Sequence, residues 1–185
     1  MSMLKGIMDQ LLHEMEEEKD APIARQPSSV TVPPMPPPGN PRARLTWATT
    51  IIAPQLEARQ GPSAQAPFDI LRELAIRRDE RRGAYAVYVL LLDDGARHSR
   101  QCTNTGQPGM PCVYVGETSK TVEARYEDHL AGYKSRAYIR QNIVGLLPGI
   151  HERYNPIPDL DTALAAEAAL AEALRLIGCT VFGGH

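Results

Sequence analysis

The chain of 185 residues is 43% apolar and has a formal net charge of −2, which predicts one compact domain with appendages and excludes the overall basic charge typical of nucleic-acid binders. Any contact with nucleic acid must therefore be local. No apolar run approaches the roughly 20 residues of a membrane span, and residues 1–20 lack the features of a signal peptide, so we expect a cytoplasmic protein without membrane partners.

The first 82 residues are predicted to form three segments outside the main domain. Apolar residues recur at helical spacing over residues 1–20, which predicts an amphipathic helix that either binds a partner or a second copy, or is loosely held. The proline-rich residues 21–44 predict a disordered linker, with recognition by an aromatic-lined groove as the alternative. Residues 45–53, with β-branched residues around Trp47, suggest a small strand or docking segment.

A helix is expected over residues 67–82, and four arginines crowd its C-terminal end. These are Arg77, Arg78, Arg81 and Arg82. They either form a solvated helix end that complements the helix dipole or contact a phosphate backbone.

The main domain is predicted to occupy residues 83–185 and to have an α+β fold. A nearly continuous apolar strand spans residues 84–92, and a second strand ends at Gly116, so the two are expected to pair antiparallel. Helices are predicted over residues 121–131, 137–144 and 160–177, with a possible short strand near residues 150–154 and an edge strand at Val181-Phe182. We therefore expect a three-stranded, mainly antiparallel sheet flanked by helices.

Two tripeptides and two later side chains carry a resemblance to a known family. The tripeptides are Gly83-Ala84-Tyr85 and Tyr114-Val115-Gly116, and Arg125 and His129 follow on the next predicted helix. Together they resemble the GIY-YIG nuclease superfamily over roughly the last hundred residues. The resemblance implies a small antiparallel sheet flanked by helices and cleavage of DNA phosphodiesters with one divalent metal ion, Mg²⁺ or Mn²⁺.

Phosphodiester hydrolysis requires a positioned water, a cation for the non-bridging oxygens and assistance to the leaving alkoxide. Tyr114 is expected to orient the water or act as general base, the role that the resemblance implies for the tyrosine of the second tripeptide. Arg125 can both lower the pKa of that phenol and grip the phosphate. Arg125 and His129 are four residues apart and therefore lie together on one side of their helix.

The first tripeptide leaves two tyrosines as candidates for the site. Tyr85 fits the glycine spacing, but Tyr88 is an alternative, and alternation along a strand places the two on opposite faces of the sheet, so only one can line the site. We assign Tyr85. The second tripeptide departs from the family pattern, because Glu117 stands where many members have lysine, although Lys120 can compensate. The late asparagine of some members is also missing.

The metal ligand is expected to be a carboxylate in the last helix, which offers Glu167 and Glu172. Glu167 falls near the centre of the apolar face of that helix, whereas Glu172 lies well over a quarter turn away. A carboxylate among core residues needs a partner, so Glu167 is the predicted ligand. Family members also carry their metal-binding glutamate in this late helix, and Glu172 is interpreted as a solvated residue.

A zinc site is a further possibility in the loop between the two strands. It holds His98 and Cys102, with Cys112 following, but their spacing matches no common zinc finger, and we expect reduced thiols instead. A local basic strip is expected to hold the phosphate backbone of DNA. The predicted substrate-binding residues are Gly116, Lys120, Lys134, Arg136 and Arg140.

Two functions are compatible with these residues. The first is a metal-dependent DNA endonuclease with a catalytic set of Tyr114, Arg125, His129 and Tyr85. The second is a catalytically weak or inactive module of the same fold that binds nucleic acid, or a protein partner through its N-terminal arm. Glu117 and the missing asparagine favour the second function, whereas the retained catalytic set favours the first.

Overall fold

The computed structural model describes residues 6, 13, 32–59, 66–100, 102, 104, 106–133 and 135–184. The helices are α1 (Pro41–Ala58), α2 (Ala66–Ile76), α3 (Val122–Ala131), α4 (Ala137–Asn142), α5 (Pro148–His151) and α6 (Leu160–Leu176). The strands are β1 (Ala86–Leu92), β2 (Cys112–Thr118), β3 (Ile143–Leu146) and β4 (Thr180–Gly183). Short 3-10 turns occupy Arg78–Glu80, Asp94–His98 and Glu152–Tyr154.

Within these residues, four strands form one mixed sheet in the order β3-β1-β2-β4. β1 pairs antiparallel with β2 and β3, and β4 lies parallel to β2 at the other edge. The α+β fold is confirmed, with one strand more than expected. The added strand is β3, which the sequence analysis placed at the end of a helix. The strand suggested near residues 150–154 is wrong, because Pro148 begins a short helix there.

The two faces of the sheet support two cores of different size. Val87, Val89 and Leu91 of β1 point into the larger core, which they share with α1, α2 and α6. The alternate residues Tyr88 and Leu90 point into a smaller core on the opposite face, where α3 and α4 pack. Residues before and after position 83 thus contribute to the same larger core.

The segment before α1 differs from the predicted linker. The side chain of Asn40 accepts a hydrogen bond from the Ala43 amide and Pro41 occupies the first turn, so a capped helix begins where the linker was expected to continue to residue 44. Arg44 is 3% exposed and pairs with Asp93 at 2.8 Å. Trp47 donates from Nε1 to the Pro33 carbonyl at 2.9 Å. The strand suggested over residues 45–53 is therefore wrong, although the segment does dock on the core.

The helix expected over residues 67–82 ends at Ile76, and a 3-10 turn follows. Among its arginines, Arg81 is buried and donates from Nη2 to the Tyr154 carbonyl at 2.8 Å. Arg81 therefore fits neither a solvated helix end nor a phosphate contact. The amphipathic helix predicted over residues 1–20 lies outside the described residues except for Gly6 and His13, which have helical backbone.

Among the helices that the structure describes, none is long and apolar enough to cross a membrane.

Candidate active site

The site begins with two tyrosines that the central strands bring together. Tyr88 of β1 lies directly opposite Gly116 of β2 in the antiparallel pair. A Cβ atom built on Gly116 would lie 2.5 Å from the Tyr88 hydroxyl and 3.0 Å from a ring carbon of Tyr114. Glycine is therefore needed for the Tyr88 hydroxyl to lie against the sheet. The ring centroids of Tyr88 and Tyr114 are 6.1 Å apart.

Helix α3 adds an imidazole to these phenols. His129 is 1% exposed, and its Nε2 lies 2.8 Å from the Tyr88 hydroxyl, whereas its Nδ1 lies 2.9 Å from the hydroxyl of Ser135. Burial, and second the positive charge of Arg125, lower the pKa of His129 to about 4. The imidazole is therefore neutral near pH 7. Its ring centroid is 5.5 Å from that of Tyr114, in an edge-on arrangement.

The two phenols differ in how tightly they hold their protons. Burial raises the pKa of Tyr88 strongly, and the neighbouring Tyr114 raises it further, although Arg125 acts in the opposite direction. Burial and the Glu167 carboxylate also raise the pKa of Tyr114, whereas a hydrogen bond with Tyr88 and the charge of Arg125 lower it. Tyr114, which is only partly buried, is therefore the phenol that can act on a bound reactant.

Arg125 is held at the rim of this cluster. Its Nη1 donates to the Tyr133 carbonyl at 3.4 Å and lies 3.8 Å from Oδ2 of Asp128. The same Asp128 oxygen accepts a hydrogen bond from Lys120 Nζ at 2.6 Å. The hydrogen bond from Lys120 is the main reason that the pKa of Asp128 is lowered. Asp128 therefore keeps two cations close together beside the tyrosines.

Glu167 acts on Tyr114 from the edge of the sheet where the chain leaves β4. It is 4% exposed in α6, and its Oε1 accepts a hydrogen bond from the Gly184 amide at 3.0 Å. Gly183 and Gly184 have φ angles of +80° and +72°, and a Cβ on Gly183 would overlap the Val115 carbonyl oxygen. The glycine pair thus lets the chain turn closely around β2 and reach the carboxylate.

Glu172 is the other carboxylate that the sequence analysis weighed in α6. Its Oε2 lies 3.3 Å from Nη1 of Arg175, one turn further along the helix, in a partly exposed ion pair. Glu172 is therefore ion-paired within its own helix, whereas the charge of Glu167 acts on Tyr114. Glu167 is thus buried and Glu172 partly exposed, as their helical phases predict.

The donor chemistry of the site limits the kind of metal ion that it fits. Mg²⁺ takes oxygen ligands, and it usually keeps several waters and uses one or two carboxylates together with substrate phosphates. No group of three or more His, Cys, Asp or Glu side chains in the described part of the chain is placed to hold a metal ion. Glu167 thus fits an ion whose coordination is completed by water and phosphate.

The three residues of the suggested zinc site show no such grouping in the described part of the chain. Cys112 is buried in the smaller core, and burial raises the pKa of its thiol to about 12. Cys102 donates from Sγ to the Asn104 carbonyl at 2.9 Å. A thiol with so high a pKa is a poor source of the thiolate that zinc binds.

Tyr85 of the first tripeptide and Glu117, directly after the second, lie on the opposite face of the sheet from Tyr114. Tyr85 packs against the larger core and forms a single bridge with Ile157. Tyr88 takes the place that the sequence analysis gave to Tyr85. Glu117 is paired with Val87 and shares its face, so its charge points away from the tyrosines. The departure from the family pattern at Glu117 therefore does not oppose an anion at the site.

The predicted substrate-binding residues are placed unevenly. Lys120 lies beside Arg125, whereas Arg136 is exposed at the N-cap of α4 and Arg140 is exposed on the helix itself. Gly116 is buried beneath the Tyr88 hydroxyl, so its role is packing rather than exposure to a substrate. Lys134 lies outside the described residues.

Three functional contacts were missed by sequence reasoning, those of Ser135, Asp128 and Gly184. None of them belongs to either tripeptide. The one usable signal was the Gly-Gly pair directly after the last predicted strand. The choice of Tyr88 over Tyr85 could have been found from strand alternation, because Tyr88 and Tyr114 share a face once β1 and β2 are paired in register.

Comparison with known proteins gave no matching family model, no matching curated protein and no matching solved structure. The function must therefore be argued from the site itself. Its chemistry is that of two linked phenols, a neutral imidazole, a guanidinium and one buried carboxylate. Such a set can orient a water and neutralise an oxyanion.

Proposed function

We propose that this protein is a metal-dependent DNA endonuclease of the GIY-YIG type that hydrolyses phosphodiester bonds. One observation carries the proposal: Tyr88, Tyr114 and His129 lie against one another on one face of the sheet, with the Tyr88 hydroxyl 2.8 Å from Nε2 of His129, and the charges of Arg125 and the buried Glu167 both act on the Tyr114 phenol. These groups come from two strands and two helices, α3 and α6. Packing alone offers no reason to bring a guanidinium and a carboxylate to one half-buried phenol.

In the proposed reaction, water attacks phosphorus and the bond to the leaving alkoxide breaks. Tyr114 orients that water, because it is the less buried of the two tyrosines and its hydroxyl is hydrogen-bonded to Tyr88. Arg125 contacts the non-bridging oxygens, which gain negative charge in the transition state, through its fork of donors. His129 is neutral and holds the Tyr88 hydroxyl in position.

Glu167 would hold the metal ion, Mg²⁺ or Mn²⁺. When bound, the ion supplies positive charge beside the phosphate and favours an ionised water. A hydrogen bond from the Gly184 backbone amide holds the carboxylate in place, so its position does not depend on a flexible side chain. The ordered carboxylate is what this chain contributes to metal binding.

DNA is the proposed partner, and its backbone would meet a local group of cations on a protein of net charge −2. Lys120 and Arg125 lie at the site, and Arg136, at the N-cap of α4, and Arg140, within α4, extend the positive surface. In the absence of DNA, Asp128 satisfies Lys120 and Arg125, and a phosphate must compete with it. We further propose a cytoplasmic location and a protein partner or second copy bound through the residues that precede α1.

A catalytically weak or inactive DNA-binding module is the second candidate. It is favoured by the metal site, since Glu167 is a single carboxylate and the described residues contain no larger group of metal ligands. A site with one protein carboxylate binds a metal ion weakly without substrate. In this alternative the cations hold DNA but no bond is cleaved.

The two candidates are separated by measuring DNA binding and cleavage on the same proteins. Supercoiled and branched DNA is incubated with wild type, Arg125→Ala and Arg72→Ala, with Mg²⁺, with Mn²⁺ and with chelator. Arg72 is a matched control, because it also pairs with an aspartate one turn away, at 2.8 Å, but lies on α2 behind the larger core.

The nuclease proposal predicts metal-dependent products from wild type and Arg72→Ala, and a loss of about 100-fold or more for Arg125→Ala. Binding without cleavage under every metal condition supports the inactive module. Equal products from all three proteins, or products that persist with chelator, contradict the nuclease proposal.

A further inference from the structure

An exposed tyrosine lies at the rim of the proposed active site and has no part in the reaction described above. Tyr133 follows α3 and is 56% exposed. A single apolar side chain on a surface is common and needs no special explanation. Tyr133 differs from such a residue, because its backbone and its ring each contact one of the cations proposed to hold the phosphate.

The backbone of Tyr133 is fixed by the way in which α3 ends. Gly132 has a φ angle of +83°, and the Tyr133 amide donates to the Asp128 carbonyl at 2.8 Å. The Tyr133 carbonyl accepts a hydrogen bond from Nη1 of Arg125 at 3.4 Å. The tyrosine therefore has a defined position before any ligand binds, which lowers the entropy that recognition costs.

The ring of Tyr133 lies against Lys120. The Lys120 ammonium is 5.4 Å from the ring centroid in a cation–π contact, and it donates to Oδ2 of Asp128 at 2.6 Å. The same carboxylate oxygen is 3.8 Å from Nη1 of Arg125. The exposed ring is thus next to both cations that are proposed to bind the phosphate.

An exposed aromatic ring beside phosphate-binding cations matches the two parts of one nucleotide. The cations contact its phosphate, and the base stacks on the ring, which tolerates any base because every base has a π face. Within a duplex, the faces of a base are covered by its neighbours. Only an unpaired or extruded base can therefore stack on a protein side chain.

We propose that Tyr133 stacks on an unpaired base next to the phosphate held by Arg125 and Lys120, so that the substrate is DNA with a single-stranded segment at the cut, as at a flap. This inference rests on the proposed nuclease function for the position of the cut. Stacking itself is a property of DNA binding and does not require cleavage. Tyr133 is then a substrate-binding residue and takes no part in breaking the bond.

Binding is measured with chelator present, so that no DNA is cut, by fluorescence anisotropy on full-length protein. One DNA is a duplex with a single-stranded flap that carries 2-aminopurine at its first unpaired position, and the other is a blunt duplex. Wild type is compared with Tyr133→Leu, Tyr133→Phe and Lys120→Gln. Ile76→Ala is the control for loss of an exposed apolar side chain, because Ile76 is 69% exposed on α2.

Wild type is expected to bind the flap about tenfold more tightly than the duplex and to quench the 2-aminopurine fluorescence. Tyr133→Leu should bind the flap about tenfold more weakly, which corresponds to about 1.4 kcal/mol, and the duplex within about twofold of wild type. Tyr133→Phe, which keeps the π face, and Ile76→Ala should both behave as wild type. Lys120→Gln should weaken both DNAs by the same factor, as the loss of a phosphate contact does.

Equal affinity of wild type for the two DNAs overturns the proposal, and so does an equal loss by Tyr133→Leu on both, which would mean that Tyr133 serves only to hold Lys120. Cleavage of the same DNAs with Mg²⁺ or Mn²⁺ separates this inference from the nuclease function. If wild type prefers the flap through Tyr133 but cuts neither DNA, the nuclease function fails and the stacking stands. If wild type cuts DNA but Tyr133→Leu binds the flap as wild type does, the stacking fails and the nuclease function stands.

Discussion

Tyr88→Phe is the most informative single substitution, because it removes one oxygen atom at the junction of the site. Tyr88 and His129 are each 1% exposed, and the lost hydrogen bond is 2.8 Å long. The substitution leaves a buried imidazole nitrogen without its partner, which costs roughly 1–3 kcal/mol of the free energy of unfolding. In a chain of this size, that loss of free energy corresponds to a fall in Tm of roughly 2–12 °C.

The loss of activity should be larger than the loss of stability suggests. Tyr114 loses the hydrogen bond that fixes its hydroxyl, so we expect cleavage of supercoiled DNA to fall about 100-fold, within the range typical of acid–base and water-orienting groups. Tm and the urea midpoint are measured on the same samples, so that unfolding can be separated from loss of chemistry. Cleavage is assayed well below the Tm of both proteins.

Tyr85→Phe is the matched control, since Tyr85 lies in the same segment but on the opposite face of the sheet. It is a demanding control, because Tyr85 lines a surface cleft together with Lys120. We expect Tyr85→Phe to cleave DNA within about twofold of wild type. The reasoning is refuted if Tyr85→Phe abolishes cleavage and Tyr88→Phe does not.

Two further predictions concern the packing and the protonation of this site. Gly116→Ala places a Cβ 2.5 Å from the Tyr88 hydroxyl, and we expect the free energy of unfolding to fall by about 1–3 kcal/mol and the cleavage rate to fall about tenfold. Gly39→Ala is the control, because a Cβ there meets nothing within 4 Å, and it should change neither quantity. Unchanged cleavage by Gly116→Ala contradicts the packing argument. Burial lowers the pKa of both His129 and His151 from 6.5 to about 4. Between these two pH values the unfolded chain is protonated at each histidine and the folded protein is not. The free energy of unfolding is therefore highest above about pH 6.5, and it falls by roughly 3 kcal/mol for each histidine as the pH approaches 4. Urea midpoints at pH 7.5 and 4.5 should therefore fall less for His129→Gln than for wild type, and equal falls contradict the burial of a neutral imidazole.

The central strands and the last helix could be predicted from sequence because their signals are local. β1 is an apolar run of seven residues, β2 begins with four apolar residues, Cys112-Val113-Tyr114-Val115, and α6 has sustained helical periodicity after a capping Asp159. β3 could not be predicted with equal ease. It has four residues, follows α4 without a break, and is a strand because β1 offers it an unpaired edge.

In helix α1, composition wrongly predicts a strand, whereas the capping residues correctly indicate a helix. Its β-branched residues suggested a strand, but Trp47 and Ile51 are four residues apart and both face the core. The signal for a helix was present in Asn40-Pro41, an N-cap followed by a proline in the first turn. Contacts with the core then outweigh the β preference of the individual side chains.

Part of the candidate site could also be predicted, where helical phase or strand alternation decides which side chains meet. Arg125 and His129 share a helix side, and Glu167 was chosen over Glu172 by its phase. The contacts of Ser135 and Asp128 depend on how a loop and a helix end fold back on the site, which no local pattern specifies. The choice of Tyr88 required the register of β1 against β2, which are separated in the chain by the 19 residues 93–111.

The central claim, that this site hydrolyses DNA with a metal ion held by Glu167, is tested most directly by Mg²⁺-dependent nicking of supercoiled DNA. Wild type, Glu167→Gln and Glu172→Gln are compared over a range of Mg²⁺ concentrations. Glu172 is the matched control, because it lies in the same helix and forms only a partly exposed ion pair with Arg175. The account predicts nicking by wild type and Glu172→Gln, and a loss of about 100-fold or more for Glu167→Gln. Equal nicking by all three proteins, or no nicking by wild type at any Mg²⁺ concentration, would contradict it.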